Sequence, residues 1–195
     1  MSLPIKVVGL DLSLTSTGVA FIAGGGPAQP VAATDRIRHP KLTGHPRIVA
    51  ILAELDLWTH GATLAVVEGL AYDAHDTDRQ NAGLNWIVRH RLHTRRIPYA
   101  LVPPATLKQY ATGSGSADKT AMAAAAAHHL PGIDCDDDNA VDALWLAHTG
   151  ADHLGIPIAA LPDEQRAAVL EQRTVRRRGK DVTVGVRWPD WVRAA

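Results

Sequence analysis

Three acidic residues stand where a site could be built from oxygen atoms. Asp11 closes the apolar run Lys6-Val7-Val8-Gly9-Leu10, and Glu68 closes Leu64-Ala65-Val66-Val67. Asp142 lies in Asp136-Asp137-Asp138-Asn139-Ala140-Val141-Asp142, which opens an apolar helix. A carboxylate at the tip of a buried strand is costly to desolvate unless positive charge offsets it. Two strand tips and a helix start can converge on a divalent cation. Asp138 and Asn139 fall four and three positions before Asp142, so either can share its helical face. Oxygen donors suit Mg²⁺ or Mn²⁺, and two such ions about 3.5–4 Å apart can hold the attacking water and leaving oxygen of a phosphodiester. Each acid also has a plainer reading: Asp11 as a turn cap, Glu68 as an edge residue, Asp142 as an acid favoured by the helix dipole. Their coincidence is what points to a metal.

The segment from Lys108 to Lys119 carries a second set of groups. It offers two lysines, the loop Thr112-Gly113-Ser114-Gly115-Ser116 with exposed backbone N–H groups, and a helix start at Asp118. All three favour a phosphate nearby; the plainer reading is a mobile loop with solvated lysines. No GKS or GKT closes it, so it is not a nucleotide-binding P-loop. The chain's ten histidines show no metal-site spacing. With one cysteine, Cys135, neither an intramolecular disulfide nor a structural zinc is expected. Gly113-Ser114-Gly115-Ser116 lacks the strand that a hydrolase nucleophile elbow requires.

These residues need a scaffold. The first third reads as strands over 5–11, 17–23 and 31–37, with the Gly24-Gly25-Gly26-Pro27 turn suited to an antiparallel connection. His45-Pro46 starts a helix with Ile48, Ile51, Leu52, Leu55 and Trp58 on one face. A strand follows over 63–68. A helix from Asp78 places Leu84, Ile87, Val88 and Leu92 on one side, and Arg89, Arg91, Arg95 and Arg96 largely off it. Pro98 precedes a short strand over 99–102, and Pro103-Pro104 opens a helix through Tyr110. The Thr112–Ser116 loop is expected to be flexible and unpacked. Asp118 caps the alanine-rich helix from Lys119 to Leu130, and a last long helix spans Asp138 to His153. This order predicts an α/β fold: a mixed five-stranded sheet with helices on both faces. Residues 1–160 form the domain. Residues 161–195 form an extension with an amphipathic stretch, a basic run and a strand near 182–188.

At 195 residues and 46% hydrophobic content, the chain is long and apolar enough for a full core. Its net charge of +0 excludes a protein whose whole surface coats nucleic acid, though not one with a local basic face. Basic residues crowd 89–96 and 173–180, and acids crowd 134–142. No signal-like segment precedes the first strand, and no apolar stretch approaches the roughly 20 residues of a membrane helix. A soluble cytoplasmic protein with no membrane partner and no small-molecule cofactor is expected.

The motifs resemble those of the RuvC-type Holliday junction resolvases, within the RNase H-like superfamily. Val8-Gly9-Leu10-Asp11-Leu12-Ser13-Leu14-Thr15-Ser16-Thr17-Gly18 resembles the family's first-strand motif, and Val66-Val67-Glu68 its fourth-strand motif. Thr106 through Lys119 is similar to its lysine-bearing loop, and Asn139-Ala140-Val141-Asp142-Ala143-Leu144 to its acidic helix. The resemblance covers roughly 5–155. It implies a Mg²⁺-dependent endonuclease, with Mn²⁺ as substitute and two ions per site, acting as a homodimer on four-way DNA junctions. Asp11, Glu68 and Asp142 would ligate metal. The family's fourth acid falls at Asn139 here, so Asp138 is expected to reach in, with Asn139 as the neutral alternative. Lys119 would stabilise developing charge, and Lys108, Lys119, Ser114 and Ser116 would contact DNA. Tyr72 is nearest the family's aromatic wedge. The helix over 78–96 would be the dimer interface, with Arg89, Arg95 and Arg96 near DNA. Three other readings separate by experiment: a catalytically weak or inactive junction-binding protein, an RNase H-like nuclease on another branched or hybrid nucleic acid, and an actin-like or sugar-kinase-like phosphotransferase, which needs a duplicated domain.

Overall fold

A computed structural model describes residues 4–26, 29–70, 76–135, 137–177 and 180–190. Five strands form one sheet: β1 (Ile5–Asp11), β2 (Thr17–Gly24), β3 (Val31–Ile37), β4 (Leu64–Glu68) and β5 (Tyr99–Val102), in the order β3-β2-β1-β4-β5. The short turns among the first three strands make β1, β2 and β3 antiparallel. Helices α1 (Gly44–Trp58) and α2 (Asp76–Thr94) cross between β3, β4 and β5, so β1, β4 and β5 run parallel. The expected mixed sheet is present.

Strand alternation divides the core in two. Val8 and Leu10 of β1, with Ala65 and Val67 of β4, pack against Ile51 and Leu55 of α1 and Leu84, Val88 and Leu92 of α2. On the other face, Val7, Leu64 and Val66 pack against α3 (Pro104–Thr112), α4 (Lys119–His129) and α5 (Asp138–His153). Helix α5 is buried along nearly its whole length.

Its approach to the sheet is set by glycine. A Cβ at Gly9 of β1 would overlap the Ala143 carbonyl oxygen and come 2.5 Å from the Ala147 nitrogen. One at Gly18 of β2 would overlap the Asn139 carbonyl. Only hydrogen at these positions lets the α5 backbone rest on the strands.

The sequence expectations need some local corrections. Ile87 was placed on the buried stripe of α2 but is 40% exposed; the stripe is Leu84, Val88 and Leu92, at strict four-residue spacing. The loop after α3 is not an unpacked tether. Gly113 closes α3 in the left-handed region, the Ser114 N–H donates to Thr112 Oγ1 (3.1 Å), and Ala117 is buried. Beyond residue 160, α6 (Asp163–Leu170) docks on α3, and β6 (Arg173–Arg177) pairs with β7 (Lys180–Val184) as an antiparallel hairpin. Among the described residues no helix is long and apolar enough to cross a membrane.

Candidate metal centre

The alternation that puts Val7 and Gly9 toward α5 puts Asp11 there too, and Leu64 and Val66 fix the same direction for Glu68. In the parallel pairing Leu10 stands beside Val67, so Asp11 and Glu68 meet one step further on. Their carboxyl groups share a hydrogen bond. Helix α5 lies across this corner, and Asp142, in its second turn, adds its charge to theirs.

The electrostatics are those of an anion cage short of positive charge. Burial and the neighbouring Asp142 carboxylate push Asp11 up to about 7. Burial, with repulsion from Asp11 and Asp142, pushes Glu68 up to about 9. Burial pushes Asp142 up to about 6, against the opposing pull of Lys108 and Lys119. Among the described residues no three acid or imidazole side chains close tightly enough to enclose an ion directly. The donor set fits a divalent cation: all-oxygen, clustered, and raised in pKa by the charge that a cation would neutralise.

The flanking groups divide into those that face the cluster and those that do not. Lys108 of α3 lowers both Glu68 and Asp142 through space. Lys119 does the same for Asp11 and Asp142 from the start of α4. Asp138 does not reach inward: its side chain is 49% exposed and pairs with Lys119 at 3.0 Å. Asn139 is engaged elsewhere, its Nδ2 donating to the Ser16 carbonyl at 2.7 Å. Asp138 was expected to reach in beside Asp142; here its carboxylate is paired with Lys119, while it still acts on Asp142 through space. The Asp118 carboxylate accepts from the Ala121 N–H at 2.8 Å, so a protein acid occupies the start of α4 expected for a phosphate. Ser114 and Ser116 hydroxyls bond to each other at 3.2 Å.

The α2 arginines divide as well. Arg89 lies over the Trp86 ring, 4.1 Å from its centre. Arg95 pairs with Asp56 at 2.9 Å, alongside Arg91 at 2.5 Å. Arg95 and Arg96 follow the last turn of α2, the end away from Glu68, since Asn85 further back in the helix donates to the Glu68 carbonyl at 3.1 Å. Tyr72 lies outside the described residues.

Several residues went unnoticed in the sequence. Asp137 caps α5 through Ala140 N–H (3.0 Å) and holds Arg36 of β3 at 2.9 Å, tying the metal-site helix to the far strand. Asn81 accepts from the Leu14 N–H at 3.2 Å and so braces the turn after Asp11. Trp86, 62% exposed, lines a groove of about 550 Å³ with Gly69, Leu70, Arg89 and Pro104, beside Glu68. A tryptophan off the apolar stripe near the middle of α2 was the available signal.

A β3-β2-β1-β4-β5 sheet with acids at the adjacent ends of β1 and β4 under a covering helix is the RNase H-like fold. Within it, the chain is similar to RuvC of Thermus thermophilus: 20% identity, a TM-score of 0.62, 78% of this chain and 98% of that chain covered. The structure of T. thermophilus RuvC in complex with a Holliday junction substrate matches at 20% identity and a TM-score of 0.64, covering 80% of this chain and 98% of that one. The yeast mitochondrial Holliday junction resolvase Ydc2 matches at 11% identity and a TM-score of 0.45, too distant to bear on the site. No protein-family model matches the chain, nor does any curated protein sequence.

Proposed function

We propose that the chain is a divalent-metal-dependent endonuclease that cuts four-way DNA junctions. The observation that carries this is the buried set of Asp11, Glu68 and Asp142, brought together by β1, β4 and α5, whose carboxyl groups burial and mutual repulsion push upward. The likeness in fold to RuvC, one of whose structures holds a Holliday junction, supports the choice of substrate.

In this reading Asp11, Glu68 and Asp142 hold Mg²⁺, for which Mn²⁺ substitutes, with two ions per site. When bound, such ions activate water and neutralise charge on the phosphodiester. Lys119 and Lys108 add positive charge to the side of the cluster where a phosphate enters. Asp138 sets the position of Lys119 through their ion pair and stands outside the ligand set. The chain works as a homodimer through α2, whose Trp86 and Ile87 are exposed apolar residues; a symmetric junction calls for a symmetric enzyme. Light scattering of the pure protein tests this: a dimer that Trp86→Ala converts to monomer supports it, and a wild-type monomer contradicts it.

A second reading has one specific observation in its favour. The position three before Asp142 is Asn139, which offers only a neutral amide oxygen, and the Asp138 carboxylate is paired with Lys119 at 3.0 Å. A junction-binding protein without cleavage would tolerate this. Tight junction binding in EDTA, with no nicking when Mg²⁺ or Mn²⁺ is added, would select it.

A further inference from the structure

The C-terminal segment is joined to the domain by a buried chain of polar groups. Val169 of α6 and Val186 are almost fully buried, the Trp188 indole N–H donates to the Val169 carbonyl at 2.9 Å, and the Trp188 ring stacks on His153. From α6, Arg166 grips Asp152 in the last turn of α5 with a fork: Nη2 to Oδ1 at 2.7 Å and Nε to Oδ2 at 3.0 Å. The Asp152 side chain is only 2% exposed. Its Oδ2 also accepts from the hydroxyl of Tyr110, a fully buried residue of α3, at 3.1 Å. That hydroxyl lies 2.7 Å from His148 Nδ1. His148 Nε2 accepts from the Ala159 N–H at 3.2 Å, so the ring proton sits on Nδ1 and points at Tyr110. The order of donors is thereby complete: His148 to Tyr110, Tyr110 to Asp152, Arg166 to Asp152.

This chain joins the two helices that carry site residues. Tyr110 lies two residues after Lys108 on α3, and Asp152 shares α5 with Asp142. Helix α3 is short, nine residues; Leu107 and Ala111 pack in the same core as α5, and Tyr110 adds its polar contact with that helix. A buried carboxylate holds such a geometry only while a cation answers it; left bare, it draws in water or a proton and releases its partners. The answering cation comes from beyond residue 160. On the same helix, Gln165 rests against Gly113, where α3 turns into the loop leading to Lys119.

We propose that Arg166 is a positioning residue: by holding Asp152 and Tyr110 it fixes α3 on α5 and so keeps Lys108 facing Asp142 and Glu68. The C-terminal extension is thus a working part of the site. The proposal rests on the nuclease reading for what Lys108 does, though not for the clamp itself.

The test uses the full chain with Arg166→Met, Arg166→Lys and the charge-balanced pair Arg166→Met with Asp152→Asn, which leaves no bare buried charge if the single variant fails to fold. Each is made with Lys108 intact and with Lys108→Met. Single-turnover cleavage at saturating junction should fall about 10- to 100-fold in the methionine variants, with junction affinity unchanged and partial rescue by lysine. In the Lys108→Met background the same changes should cost nothing further. An equal loss in both backgrounds, or no loss, overturns the proposal. Amide exchange read on the same proteins should quicken in α3 and stay unchanged in β1 and β4; unchanged α3 exchange overturns the clamp. A wild type that cuts nothing would instead remove the nuclease reading, and the exchange result alone would then decide the clamp.

Discussion

Asp11 and Glu68 touch because both fall on the α5-facing positions of neighbouring parallel strands, and burial makes that contact electrostatically costly. Their raised pKa values, with that of Asp142, give a signed prediction. The protonated forms are favoured in the folded state, so without metal this cluster's stabilisation is complete below about pH 4 and is lost as pH rises through about 6 to 9. Metal binding must displace those protons, so apparent Mg²⁺ affinity should rise across the same window. Thermal melts in EDTA and in Mg²⁺ at pH 6 and pH 9 check this. The gain from metal should be larger at pH 9 and reach about 2–3 kcal/mol at 100 times Kd. A gain independent of pH would contradict it. His148 gives the opposite slope. Burial lowers it to about 4. Its contribution is therefore present above pH 6.5 and lost as pH falls toward 4, by on the order of 3 kcal/mol. His148→Gln should remove that part of the acid sensitivity, seen as a difference in unfolding free energy between pH 7 and pH 4.5. The sequence showed the three acids because each ends an apolar run. It did not show the Tyr110–His148–Asp152–Arg166 chain, whose members are far apart in sequence. The visible clue was two polar residues four apart in the largely apolar second half of α5, His148 and Asp152.

Helix α5 positions Asp142 only because Gly9 and Gly18 let it lie on the strands. Gly9→Ala would force Cβ into the Ala143 carbonyl. We expect a loss of at least about 2 kcal/mol, read by urea titration, and weaker metal binding as α5 lifts from β1. An alanine variant of wild-type stability would contradict the close approach. Strand and helix limits were largely legible, since the alternation in β1 and β4 and the capping acid Asp118 are local signals. The expectations that missed were tertiary. Asp138 falls one turn before Asp142, yet its carboxylate is paired with Lys119 from α4, a contact that helical spacing does not reveal. Ile87 has helical spacing for the core but lies on the side of α2 that the sheet does not cover. The ion pair that ties α6 to α5 joins residues 14 apart across a turn, which no periodicity reveals.

At the scale of the whole molecule, the sheet places its acids at one corner, its lysines beside them on α3 and α4, and an exposed aromatic face on α2. With a net charge of +0, the proposed reading requires that DNA be held by this local arrangement rather than by the bulk field. Junction binding should therefore weaken with salt by a modest slope, set by a few phosphate contacts. The most direct test of the account is cleavage of a labelled mobile four-way junction beside a linear duplex and an RNA–DNA hybrid, with and without Mg²⁺, by wild type and Asp11→Asn. The account predicts paired, metal-dependent nicks in the junction alone, slowed by at least about 100-fold in the variant. Cleavage by Asp11→Asn at the wild-type rate, or junction binding with no cleavage in either metal, would contradict it.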